Sequence, residues 1–481
     1  MRPVDLATYP TATTLLAALV RRDLGVEELL RATLARIEAI NPRVNAIVSL
    51  DAETAIATAQ QLDNSRPTPE QTLFGLPIAI KDLALTRGLR TTFGSPLYAD
   101  FVPDQDDLFV ARLRAAGAVI IGKTNTPEFG AGSQTFNRVF GATRNPYDLS
   151  RTCGGSSGGA AVALASGMLA LADGSDLGGS LRNPAAFCNV VGLRPSPGRV
   201  PSWPRLMSSE PLAVHGPMAR NVSDCALLLS AMAGPDARVP IALGEAGATF
   251  NVPLDGDLNG LRLAWSPDLG QFEVDHQIVA VLEQALPTFT KLGCSINQAC
   301  PDLRDADEIF RVLRAWQFAA RFGGDFERQR AHLKDTVVWN IEQGLALTLH
   351  DVTQAEIKRT QLIARVAAFF EDYDFLLCPA SQVPPFAVEQ EWVTSINGRE
   401  LATYLDWMGV CYAITVTGCP AISVPAGFTH DGLPVGLQIV GKRWADLAVL
   451  KLAYGFESHT RYGECHPKVA PSSVGPTSVG H

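Results

Sequence analysis

Residues 153–200 read CGGSSGGAAVALASGMLALADGSDLGGSLRNPAAFCNVVGLRPSPGRV. Two nests of small residues stand 24 positions apart in this stretch, Gly154-Gly155-Ser156-Ser157-Gly158-Gly159 and Asp176-Leu177-Gly178-Gly179-Ser180. Turns alone do not require glycine and serine at this density. Successive small residues let backbone N–H groups converge on one point and form an anion-binding nest. Such a nest can hold the oxyanion that forms when a nucleophile attacks a carbonyl. A serine at its edge needs a base, and upstream Lys81 ends the apolar run GLPIAIK (75–81). A desolvated lysine can serve as that base, and Ser–Lys versions of the serine triad carry out acyl transfer.

Outward from the nests, the chain reads as alternating helices and strands. Residues 25–41 carry apolar side chains at helical spacing, with Pro42 just past the expected end. Residues 75–81 read as a buried strand, 108–117 as a helix, 118–122 as a short strand and 159–171 as a helix. This alternation predicts an α/β fold with a large mixed, twisted sheet flanked by helices on both faces. Residues 418–427 and 431–441 read as two strands around a turn at Asp431-Gly432. Residues 301–410 read as mostly helical and hold 14 of the chain's 36 aromatic residues, which marks them as a candidate pocket region. No linker divides the chain. One domain is expected over 1–466, with a disordered Pro/Ser/Gly-rich tail over 467–481.

Composition narrows the function. The 481 residues carry 40 Lys+Arg against 49 Asp+Glu, a formal charge of −9, with 47% hydrophobic residues. That is the balance of a folded protein without the basic face of a nucleic-acid or membrane-surface binder. No stretch reaches the ~18 apolar residues of a membrane span, and the first residues lack a signal-peptide pattern. Nine irregularly spaced cysteines argue against a disulfide scaffold. A cytoplasmic protein is expected, and a homodimer is the default for a soluble enzyme.

Two short patterns point elsewhere and fail on context. Residues 117–124, GAVIIGKT, match the phosphate-loop pattern, but Ala-Val-Ile-Ile demands a buried strand where a flexible turn is needed. Residues 154–158, GGSSG, match the nucleophile elbow, but a loop-like stretch precedes them and nothing singles out His430 or His459 as a triad histidine. Cys465-His466 has no partners at metal spacing, so no metal or other cofactor is expected.

Taken together, the segment 153–200, GLPIAIKD (75–82), GKTNTPEFG (122–130), GATRNPYDLSR (141–151), GPMARNVSD (216–224), PAISVPAG and DGLPVGLQIVG (431–441) resemble the amidase signature family. The ordered set spans most of the chain and is weakest over 235–400. The resemblance implies the amidase signature fold, with its core over about 70–235 and 411–460 and a variable helical pocket region over about 301–410. It implies Ser180 as the acyl-forming nucleophile and Ser156 as a bridge to Lys81, the neutral general base, with a cis peptide between Gly155 and Ser156. Backbone N–H groups of Leu177, Gly178, Gly179 and Ser180 would form the oxyanion hole. Asp176 and Arg182 would brace that loop as an ion pair, and Ser157 would be a supporting hydrogen-bond donor. Gly130, with Phe129 beside it, would belong to the substrate site. A hydroxyl donates one proton and accepts from two sides, so Ser156 can relay between Lys81 and Ser180. Lys81 must lose a proton from an unperturbed pKa near ~10.4, so activity is expected to rise toward alkaline pH.

Cys153, Leu83, Ala160 and Ser175 depart from the common family pattern without removing a catalytic group. The family includes stand-alone amidases and the glutamine-hydrolysing component of tRNA-dependent amidotransferases. Leu83 and the run Thr126-Pro127-Glu128-Phe129 weaken the second branch. Phe310, Trp316, Phe318, Phe322, Trp339, Trp392, Tyr404 and Trp407 are mostly core candidates, yet a pocket lined by several would favour aryl or apolar groups. The expected activity is therefore a stand-alone amidase on uncharged amides, with esters and carbamates as further substrates. Glutamine hydrolysis is the alternative, and a scaffold that has lost activity is the non-enzymatic one.

Overall fold

A computed structural model describes residues 4–6, 8–210 and 212–469. The expected tail lies, from residue 470 onward, outside the described residues. The largest sheet has eight strands in the spatial order Ser295–Gln298, Arg262–Trp265, Phe375–Pro379, Pro434–Gly441, Ala421–Phe428, Val191–Arg194, Val214–Ala219, Leu171–Asp176. The first three run parallel and every later pairing is antiparallel, so the sheet is mixed as expected. Ala421–Phe428 and Pro434–Gly441 are the hairpin read around Asp431-Gly432, and they lie at the sheet's centre.

These central strands are buried nearly end to end, which requires cover on both faces. Side chains alternate across a strand, and two glycines of opposite parity show the two covers. A Cβ on Gly436 would lie 2.6 Å from Ala186 Cβ, in the helix Arg182–Phe187. A Cβ on Gly441 would lie 2.5 Å from a Val449 methyl, in the helix Asp446–Thr460. The main hydrophobic core draws on residues from Ala12 to Phe456.

The strands Pro77–Lys81 and Val119–Thr124 are parallel neighbours, but not in the large sheet. With Ile47–Leu50 they form a separate three-stranded sheet. Where Pro77–Lys81 approaches the large sheet's edge strand Leu171–Asp176, the Lys81 N–H is donated to the Asp173 carboxylate at 2.8 Å. A side chain thus takes the place of a ladder bond. Val119–Thr124 also disposes of the phosphate-loop pattern, since Lys123 is buried with its Nζ on Ala84 O and Thr86 Oγ1.

Three local expectations need correction. The first long helix runs Val26–Val44 through Pro42, because a proline in the last turn removes one bond while Asn45, left-handed at φ 53°, closes the end on Asn41 O. The helix expected over 159–171 is Gly158–Ala165. It stops in a Schellman motif, with left-handed Gly167 donating to Leu164 O and Met168 to Ala163 O. That stop frees Leu171–Asp176 to be a strand. The helical region 301–410 also contains the buried strand Phe375–Pro379, a short apolar run whose periodicity alone does not distinguish helix from strand.

Candidate active site

Lys81 ends its strand sealed from solvent, with 1% of its surface exposed. Its Nζ lies 2.8 Å from Ser156 Oγ, 2.8 Å from Ser157 Oγ and 3.1 Å from Ser175 Oγ. Burial is the main cause that brings this amine from its ordinary value near 10.5 down to about 7, while Asp173 and Asp176 pull it back up. Ser157 occupies the position just before the helix Gly158–Ala165 without a side-chain capping bond, and the positive end of that helix also disfavours a charged lysine.

Ser156 follows a cis peptide at Gly155 and faces a cavity of about 540 Å³ that Ser180, Leu177, Gly130 and Phe129 also line. A Cβ on Gly130 would lie 3.4 Å from Ser156 Oγ, so this backbone sits directly against the Ser156 hydroxyl. Ser180 Oγ has no hydrogen bond to a described residue, and none joins it to Ser156. The two serines share the cavity without a hydrogen bond between their hydroxyls.

The loop that carries Ser180 is held from beneath. Asp176 accepts from Gly179 N–H at 2.9 Å, from Leu181 N–H at 3.1 Å and from both Nε and Nη2 of Arg182 at 3.0 and 2.9 Å. Arg194 Nη1 reaches the same carboxylate at 3.2 Å and the Asp176 carbonyl at 2.6 Å. All three side chains are fully buried. Burial alone would raise the Asp176 carboxyl, but Arg182 and Arg194 hold it well below the usual carboxylate range. Gly179 N–H is therefore committed inward, whereas the N–H groups of Leu177, Gly178 and Ser180 have no acceptor among the described residues. Gly179 has φ +120°, and a Cβ there would lie 2.5 Å from Cys411 Cβ, so only glycine fits. Arg194 was not singled out from the sequence. Its position in GLRPSPGR resembles a turn, and only tertiary contact reveals its partner.

Beyond the serines the cavity is of mixed character. Phe93, Phe129, Phe318 and Phe322 supply aromatic surface, with the Phe129 and Phe322 rings 4.4 Å apart. Of the eight aromatics named from the variable region, only Phe318 and Phe322 line the cavity. Trp407 and Tyr404 are core, as is Phe310, whose ring backs Gly178. Three arginines (Arg205, Arg314, Arg321), Glu210, Asp107 and His215 were missed. They come from the loop 202–213 and from neighbouring elements that no local pattern brings to the site. His430 and His459 are exposed and do not line it. Cys153 is buried, and burial pushes its thiol up to about 12, so it is a packed side chain. Among the described residues no group of three His, Cys, Asp or Glu is placed to hold a metal ion, and no helix is long and apolar enough to cross a membrane.

The chain as a whole is similar to known proteins. A family model described as Amidase matches residues 28–450. An acylamidase of Rhodococcus erythropolis is 38% identical over 464 residues, covering 95% of this chain and 97% of the relative. A glutamyl-tRNA(Gln) amidotransferase subunit from Geobacillus kaustophilus is 35% identical over 482 residues, covering 93% and 97%. Among solved structures, a bacterial aryl acylamidase of the amidase signature family superimposes with a TM-score of 0.88 at 27% identity, over 96% of this chain and 99% of that one. A 6-aminohexanoate cyclic dimer hydrolase does so with 0.87 at 28% identity, over 97% and 99%.

Proposed function

This chain belongs to the amidase signature family, and from that premise we propose that it is a stand-alone serine amidase acting on amides with aryl or apolar groups beside the scissile bond. The observation that carries the reading is the sealed Lys81, its amine lowered by burial to about 7, lying 2.8 Å from the Oγ of Ser156, which lines the same cavity as Ser180.

Neutral Lys81 takes the Ser156 proton as Ser156 takes that of Ser180, and Ser180 Oγ adds to the substrate carbonyl carbon. The resulting oxyanion is held by the backbone N–H groups of Leu177, Gly178 and Ser180, while Gly179 contributes by fixing the loop on Asp176. The proton stored on Lys81 returns through Ser156 to the leaving amine nitrogen as the C–N bond breaks. Water then adds to the acyl-enzyme by the same relay, releasing the acid and restoring Ser180. Closing the Ser180–Ser156 hydrogen bond accompanies substrate binding, as such contacts commonly tighten only in the loaded site. An ester or carbamate enters by the same addition step.

The Phe93, Phe129, Phe318 and Phe322 surfaces favour an aryl or apolar group, in line with the acylamidase relatives. The amidotransferase relatives keep glutamine hydrolysis as a second reading, which needs partner proteins. The test is 4-nitroaniline release by the purified chain alone from neutral nitroanilides of increasing acyl size. Release that falls at least about 1,000-fold in Ser180→Ala supports the serine amidase, and the size trend measures the pocket. No release without partners moves the assignment to glutamine.

A further inference from the structure

The helix Ala306–Phe322 presents Arg314, Gln317, Phe318 and Arg321 to the cavity, positions that share one face at helical spacing. Arg314 differs from the other guanidinium groups there. Arg205 pairs with Glu210, and Arg321, which also has no carboxylate within 4.0 Å among the described residues, is exposed to solvent and faces Asp107 at longer range. Of the other buried arginines, Arg182, Arg194 and Arg199 have carboxylates, while Arg220 and Arg359 spend their donors on backbone carbonyls. Arg314 is 5% exposed and has no carboxylate within 4.0 Å among the described residues. Its Nε donates to Asn340 Oδ1 at 3.0 Å, its Nη2 donates to Tyr404 Oη at 2.9 Å, and the Phe318 ring lies 4.8 Å from the guanidinium carbon. Those partners are neutral. Nη1 has no acceptor among the described residues, nor is it one of the interior's sealed polar atoms.

A guanidinium taken out of water without a counter-ion is costly to the fold. Here the aromatic face and two neutral acceptors orient it while leaving part of its donor fork unused. Glu210 is not its counter-ion. That carboxylate is absorbed by Arg205, by Gln317 Nε2 at 2.8 Å and by the Leu212 and Ala213 N–H groups. Phe310 backs Gly178 in the oxyanion loop, and Arg314 lies one turn further along the same helix, about 6 Å by helical rise.

We propose that Arg314 is a specificity residue that binds an anionic oxygen pair on the substrate, a carboxylate a few bonds away from the scissile carbonyl. This deepens the amidase reading: neutral amides enter the aromatic part of the cavity, and amides that also carry a free acid are the preferred class. Such substrates are N-acylated amino acids or the linear fragments left by earlier hydrolysis of a polyamide.

The test rests on binding, so it is readable whether or not the amidase reading holds. In a Ser180→Ala background, where turnover is removed, 4-phenylbutyrate and its isosteric primary amide are titrated calorimetrically at pH 8. The carboxylate is expected to bind roughly 10–100-fold tighter than the amide, the range of a charge-assisted hydrogen bond. Adding Arg314→Gln should erase that preference, and Arg314→Lys should restore part of it, which also covers a Gln variant that does not fold. Equal affinities, no measurable binding of either compound at millimolar concentration, or a preference that survives Arg314→Gln overturns the proposal. Absence of nitroanilide hydrolysis by the wild-type chain, with the carboxylate preference intact, overturns the catalytic reading alone.

Discussion

Lys81 carries two consequences that can be measured separately. Sealed among three hydroxyls, its amine is brought to about 7 by burial, not left near ~10.4 as in an unfolded chain. The proposed base is competent only when neutral, so kcat/KM should rise as pH passes through about 7 and level off above it. A rate still climbing steeply between pH 9 and 10.5 would mean that Lys81 keeps its ordinary basicity. Lys81→Met should lower kcat/KM by about 100-fold or more. Stability has its own sign. Between about 7 and ~10.4 the unfolded chain holds a proton on Lys81 that the folded chain lacks, so this group makes stability increase with pH across that window. Urea midpoints at pH 7 and pH 10 test this, because Lys81→Met should flatten that part of the slope. Asp176 answers a different question at the same scale. It sits between two buried guanidinium groups, so Asp176→Asn leaves them short of a counter-charge. Losing one partner of a buried ion pair costs about 3–5 kcal/mol, which should appear as a large fall in the urea midpoint. A midpoint within error of the wild type would remove Asp176 as the brace of the Ser180 loop.

At the scale of elements, the pocket is built by pieces that differ in how openly the sequence displays them. The nests, Lys81 and the hairpin Ala421–Phe428/Pro434–Gly441 were legible because each is a local pattern: small residues in runs, an apolar strand, two strands about Asp431-Gly432. The end of the helix Gly158–Ala165 was misplaced because Ala-rich sequence continues past it, and the stop depends on the backbone of Gly167. The charged wall was not legible. Arg314, Glu210 and Arg205 belong to one site only because the loop 202–213 folds against the helix Ala306–Phe322, and no spacing rule connects residues more than a hundred positions apart. The aromatic wall gives the sharper prediction. Phe322 is half-buried, packs at a tilt against the Phe129 ring 4.4 Å away and lines the cavity. Phe322→Ala should raise KM for aryl acyl nitroanilides about 10-fold while changing acetyl nitroanilide little, since only the larger acyl group reaches that surface. An equal loss for both substrates would place Phe322 in the support of the serines and not in the pocket.

Across the whole molecule, no single contiguous part contains the site. The proposed base, Lys81, comes from a small three-stranded sheet, the serines from loops at the edge of the large sheet, and part of the pocket wall from the helix Ala306–Phe322. What ties them is shared packing: Lys81 N–H on Asp173 joins the two sheets, Arg182 reaches Cys411 O and Gln438 Oε1, and Phe310 backs Gly178. Most buried apolar residues, from Ala12 to Phe456, belong to one core cluster, and a second, smaller one joins Ala131 to Phe318, Phe326, Leu333, Val337 and Ile341 of the variable region. If one cooperative unit extends over 1–466, the variable region 301–410 should not loosen before the rest. Amidase activity, far-UV dichroism and tryptophan fluorescence should then fall in one urea transition with a common midpoint. The fluorescence is informative because Trp316, Trp339, Trp392 and Trp407 lie in the variable region. Loss of activity and fluorescence at clearly lower urea, with dichroism retained, would show the helical region unfolding by itself as a separate foldon. Burial of Phe310 against Gly178 makes the single transition the expected result, because unfolding the wall would also strip the Ser180 loop of its backing.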